Sequence, residues 1–190
     1  MKIRNGFVSN SSSSSFILKL DYVPKSVEDV RSILFDEDVG DFISHWDDEV
    51  YSTDRICEIV YNDIINSLEQ NNIFEEVYIS EYSIDDFGYH IKEEYLSEFQ
   101  RLKNELKKHE GNRHFWDIKD EKERSDAINK HYEKTRKLTD KLKSIVVESF
   151  KSMDGIICKV EYSDNDGNIM SFIEHSDVLD SITLVKISNH

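Results

Sequence analysis

The chain has 190 residues, with 39 acids against 24 bases and a formal charge of −15. It holds no apolar run of about 18 residues, which excludes a membrane-spanning helix, and Met1-Lys2-Ile3-Arg4 leads into polar residues rather than the apolar core of a secretory signal. Two cysteines cannot staple a chain of this size and fit a reducing, cytoplasmic setting, while 2 Trp, 9 Tyr and 10 Phe argue against wholesale disorder.

In chain order, the first feature is Gly6-Phe7-Val8-Ser9-Asn10 followed by five serines and Phe16-Ile17. A serine run usually makes a flexible linker, but the few residues before it cannot form a domain to be linked. An ordered loop leading into a strand over Phe16–Leu20 fits better. Ser11, Ser12, Ser13, Ser14 and Ser15 are then candidate ligand-binding residues, because successive hydroxyls and backbone N–H groups can cradle a phosphate or carboxylate. The alternative is an internally hydrogen-bonded loop that ties the N-terminus to the sheet. The run lacks the Gly and Lys of a P-loop, so Walker-type nucleotide binding is not expected.

Ser26 is placed to cap a helix, with acids in its first turn and Val27, Val30 and Leu34 as its apolar stripe. Between Arg31 and Arg55 stand eight acids and no base. Such a stretch repels phosphate backbones, so no direct nucleic acid partner is expected. It can attract a basic protein surface, including one that normally holds nucleic acid, which makes Asp36, Glu37, Asp38, Asp47, Asp48 and Glu49 candidate partner-binding residues. The alternative is a solvated acidic loop. Ile56, Val60, Ile64 and Leu68 predict a helix over 52–70, and Phe74–Ser80 reads as a second strand.

The middle is helical. Ile91, Tyr95, Phe99, Leu102 and Leu106 repeat at helical spacing until Gly111-Asn112 breaks the pattern. A longer segment over 118–150 places Ile128, Tyr132, Thr135, Leu138, Leu142 and Ile145 on one face. The two segments suit an antiparallel helical hairpin, with His109 and His114 flanking its turn beside Arg113 and Trp116. Residues 81–153 carry no net charge; 1–80 carry −10 and 154–190 carry −5.

In the C-terminal part, Ile156, Cys158, Val160 and Tyr162 alternate as a strand. Asp166-Gly167 marks a turn, Ile169–Ile173 reads as the return strand of a hairpin, and Ile182–Ile187 as a last strand. The expected fold class is α+β: one domain over 1–190, with a sheet of about five strands, flanking helices and a helical hairpin inserted over 85–150.

Asp164, Asp166, Glu174 and Asp177 surround His175 with carboxylates. An EF-hand loop begun at Asp164 would place Ile169 and His175 where Gly and Glu are required, so that reading fails. Glu174, His175 and Asp177 offer metal-ligand chemistry without a metal-specific spacing, and no metal is expected. Glu174, His175 and the terminal His190 are the candidate catalytic residues, while both cysteines read as buried apolar groups. No cofactor is implied.

The segments Arg4 to Phe16, Tyr162 to Gly167, Phe172 to His175 and Ile187 to His190 resemble a family of small tailed-phage and prophage proteins. Its members begin with a GFVSNSSSSSF-like segment and end with an acidic hairpin, Glu-His and a terminal Ile-Ser-x-His. The likeness covers about a quarter of the chain and implies a phage-type origin without an established activity. It also implies that the two chain ends meet on one sheet, forming a polar pocket of Ser11–Ser15, Glu174, His175 and His190. Two functions follow as expectations. One is an accessory protein that binds a host or phage protein through its acidic surface. The other is a small enzyme or ligand-binding domain that uses the terminal pocket.

Overall fold

The structure, a computed structural model, describes residues 13–35, 39–44, 49–70, 87–112 and 114–189. Ser11, Ser12, Asp36, Glu37, Asp38, Asp47, Asp48, His190 and the strand expected over 74–80 lie outside the described residues. The chain forms two compact units, one of Met1–Ile73 with Gly155–His190 and one of Phe74–Asp154.

The first unit is built on a three-stranded antiparallel sheet. Strand β1 (Ser13–Leu20) lies between β4 (Ile156–Ser163) and β5 (Thr183–Asn189). Phe16 therefore stands opposite Val160 on one side and Lys186 on the other. Alternation in β1 and β4 sends Phe16, Leu18, Leu20, Cys158, Val160 and Tyr162 into one core. Phe16 and Tyr162 meet there edge to face, with ring centroids 5.9 Å apart.

Helix α1 (Val27–Leu34) starts where Ser26 accepts the Asp29 backbone N–H at 3.2 Å, with Glu28 and Asp29 in the first turn. Helix α2 (Thr53–Gln70) buries Ile56, Cys57, Val60 and Ile64. Both helices pack into the same core, as the apolar spacing predicts. Between them, β2 (Phe42–Ile43) and β3 (Val50–Tyr51) form a separate two-stranded antiparallel sheet. Among the described residues the strands thus divide into sheets of three and two, not one sheet of about five.

The second unit is a helical hairpin. Helix α3 (Glu93–Glu110) buries Phe99, Leu102 and Leu106, and α4 (Glu121–Lys151) buries Leu138, Leu142, Val146 and Phe150. The Lys92 N–H donates to the Ser149 hydroxyl at 2.9 Å at one end, and Glu105 pairs with Lys134 further along, so the helices run antiparallel. Of the face expected on α4, Leu138 and Leu142 are buried, while Ile128, Thr135 and Ile145 are half-buried and Val146 lies deeper than Ile145. Tyr132 is exposed and His131 is buried in its place.

The largest correction lies at Ile169–Ile173, expected as a return strand. A 3-10 turn over Asp164–Asp166 leads through Gly167, at φ 113°, into helix α5 (Asn168–His175). The physical reason is visible in the residues. Ile169, Phe172 and Ile173 have the i, i+3, i+4 spacing of a helix face, and β1, not the segment after the turn, supplies the partner of β4.

Candidate functional site

The helical state of α5 decides what its side chains can do together. In a strand Glu174 and His175 would point to opposite faces. In a helix, Ser171, Glu174 and His175 fall on one side at i, i+3 and i+4. That side faces Asp164, which the 3-10 turn presents. His175 Nε2 lies 3.1 Å from Asp164 Oδ1 and 3.9 Å from Glu174 Oε2. The Ser171 hydroxyl donates to the same Asp164 oxygen at 2.8 Å. One donor atom from each of Asp164, Glu174 and His175 lies within 4.8 Å of the other two.

The serine run reaches this cluster from the sheet. Ser14, on the core-facing side of β1, donates its hydroxyl to Glu174 Oε1 at 2.9 Å. Both groups are buried, Ser14 at 2% exposure and Glu174 at 1%. A buried carboxylate is costly without donors, and Ser14 supplies one. The Lys186 ammonium donates to the Glu174 backbone carbonyl and lies 5.0 Å from the Phe16 ring centroid. Ser15 points to the other side of the sheet and donates to Glu161 at 2.8 Å. Burial alone would raise the Glu161 carboxyl, but Lys159, 2.7 Å away, and Ser15 outweigh it and hold the carboxyl below its ordinary range. Ser14 and Ser15 thus donate to carboxylates of the chain itself, which is the pattern of the internally hydrogen-bonded alternative.

The structure therefore brings Ser14, Glu174 and His175 together and adds Asp164 and Ser171. Asp177 stands apart from the cluster, on the wall of a neighbouring groove. This groove has a volume of about 530 Å³ and is walled by Phe35, Val39, Phe42, Phe172 and Val178 among others, with His175, Ser176 and Asp177 as its polar side. His175 thus borders both the carboxylate cluster and the groove. Of the acidic candidates, Glu49 is described. It accepts the Tyr51 hydroxyl at 3.0 Å and an Asn168 amide N–H at 3.4 Å, holding the two-stranded sheet to the start of α5.

The cysteines are not part of the site. Burial pushes the Cys57 thiol up to about 11 and the Cys158 thiol up to about 12. Such thiols carry almost no thiolate near neutrality and are poor nucleophiles.

Asp164, which the sequence placed among the carboxylates near His175 but not among the candidate catalytic residues, is brought to that imidazole by the fold. The signal that could have found it is the helical spacing of Ile169, Phe172 and Ile173, which turns α5 back toward the preceding turn. No protein-family model matches this chain, and no curated protein or solved structure matches it.

Proposed function

We propose that this protein is a phage-type accessory protein that binds a divalent cation through Asp164, Glu174 and His175 and uses it to hold a ligand at the adjoining groove. The observation that carries this reading is the convergence of the three donors within 4.8 Å, one of them a buried carboxylate. Metal–ligand bonds of about 2.1 Å at right angles place neighbouring donors about 3.0 Å apart. The 3.1 Å separation of His175 Nε2 and Asp164 Oδ1 already has this size, and the 3.9 Å separation from Glu174 needs a small closing movement. Ser14 and Ser171 act as outer partners that orient the two carboxylates. Two carboxylates and one imidazole favour a hard or borderline ion such as Mn²⁺ or Mg²⁺.

A serine-nucleophile enzyme is less well supported. The Ser14 and Ser171 hydroxyls are directed at carboxylates, whereas activation of a serine calls for an adjacent imidazole base. Titration calorimetry of the full chain with Mn²⁺ tests the reading. One ion is expected to bind, with at least about tenfold loss of affinity in Asp164→Asn. Binding that is absent, or unchanged in Asp164→Asn and His175→Gln, overturns it.

A second reading, attachment to a basic protein surface, is favoured by the distribution of charge. Met1–Ile73 with Gly155–His190 carry 20 acids and 8 bases, a net −12, against −3 for Phe74–Asp154.

A further inference from the structure

The helical hairpin holds a second group of donor side chains, chemically unlike the first. His109 and Glu110 end α3, and His131 faces them from α4. The two imidazoles stack with centroids 4.2 Å apart and planes 24° from parallel. His131 Nε2 lies 3.5 Å from Glu110 Oε1, with the side chains exposed by 7% and 13%. One donor atom from each of His109, Glu110 and His131 lies within 4.8 Å of the other two.

From this geometry we infer that His109, Glu110 and His131 form a zinc-class metal site that ties the end of α3 to α4. Zinc with bonds of about 2.0–2.1 Å in tetrahedral geometry sets donor separations of about 3.3 Å. The 3.5 Å between His131 and Glu110 is close to that edge. Two nitrogens and one carboxylate oxygen select Zn²⁺, Ni²⁺ or Cu²⁺ over Mg²⁺ or Ca²⁺.

The surroundings resemble the supporting shell of a metal centre. The His109 Nε2–H donates to the His131 backbone carbonyl at 3.1 Å, which in the neutral ring leaves Nδ1 with the lone pair. Metal-bound imidazoles are commonly fixed by such a bond to a carbonyl. The Thr135 hydroxyl donates to Glu110 Oε1 and orients that carboxylate. Phe115 packs edge-on against His131, with centroids 5.1 Å apart, and shields it from water. His109 and Glu110 also occupy the last turn of α3, where the helix dipole favours a cation. Three protein ligands leave a fourth position for water or for a group from a partner.

This site does not depend on the chain-end cluster, and the test keeps the two apart. Zn²⁺ is titrated calorimetrically into the full chain carrying Asp164→Asn, so that the first cluster is impaired throughout. Co²⁺ is used in parallel, because tetrahedral coordination gives intense visible absorption. We expect one Zn²⁺ with a dissociation constant in the micromolar range or tighter, a raised melting temperature, and tetrahedral Co²⁺ bands. Either His109→Gln or Glu110→Gln is expected to weaken binding by about tenfold or more. Both residues are less buried than His131, and circular dichroism without metal checks that each variant keeps its helix content. Absence of Zn²⁺ binding, or affinity unchanged in both variants, overturns the site.

Discussion

Asp63 on α2 faces the fully buried Tyr162 hydroxyl of β4. Burial pushes its carboxyl above the ordinary carboxylate range, and the Tyr162 hydroxyl offsets part of that rise. A carboxyl raised in the folded state binds more protons there than in the unfolded chain. Its contribution is therefore most favourable below the unfolded value and falls as pH rises through the folded value. Asp63→Asn carries no charge, so burial no longer penalises this side chain. It should melt higher than the parent at pH 7, with the difference shrinking as pH falls below about 4. Thermal melts at both pH values check this, and equal differences at the two would refute the assignment. Residue type alone made parts of the site legible. A serine run and a Glu-His pair are uncommon enough to stand out, and Ser14, Glu174 and His175 do converge. Asp164 was harder to single out, because a carboxylate in a turn has the same local chemistry whether it faces solvent or an imidazole. His131 was hidden for a related reason: its position beside the apolar stripe of α4 is set by the helix it meets.

Among the elements, helices with long stripes were legible and short segments were not. α2, α3 and α4 repeat apolar residues over 18 or more residues, so the helical period accumulates. In α5 only 8 residues carry the signal, and both helix and strand patterns fit its apolar positions. The preceding turn signal biased the reading toward a hairpin. The start of β4 shows how tightly the sheet constrains its approach. Gly155 has φ 101°, and a β-carbon there would lie 2.6 Å from the Leu20 carbonyl oxygen of β1. That contact is with backbone, which cannot rotate away. Gly155→Ala is therefore expected to cost about 1–3 kcal/mol, from the unfavourable backbone conformation and the displaced strand end. Urea denaturation measures it. A change below about 0.5 kcal/mol would mean that β4 starts elsewhere, since surface substitutions fall in that range.

For the whole molecule, charge and fold divide the chain in a similar way. The unit containing the three-stranded sheet carries −12 and the unit containing the hairpin −3. The first unit also holds the groove and the carboxylate cluster. This combination has an electrostatic consequence that does not depend on which ligand is bound. A field of this sign disfavours duplex DNA and favours a basic protein. A lysine-rich protein immobilised on a sensor surface should therefore retain the chain at low salt. Raising ionic strength from about 0.05 to 0.5 M shortens the screening length from about 14 to about 4 Å, which should release most of it. Neutralising Asp36, Glu37, Asp38, Asp47 and Asp48 together as Asn or Gln removes five of the 20 acids of this unit while Glu49 keeps its bonds to Tyr51 and Asn168. That variant should bind more weakly and show a shallower salt dependence, with its melting temperature little changed. Retention equal to the parent's would show that the stretch between Arg31 and Arg55 is not the contact surface, while a shift of duplex DNA in a gel would contradict the electrostatic argument itself.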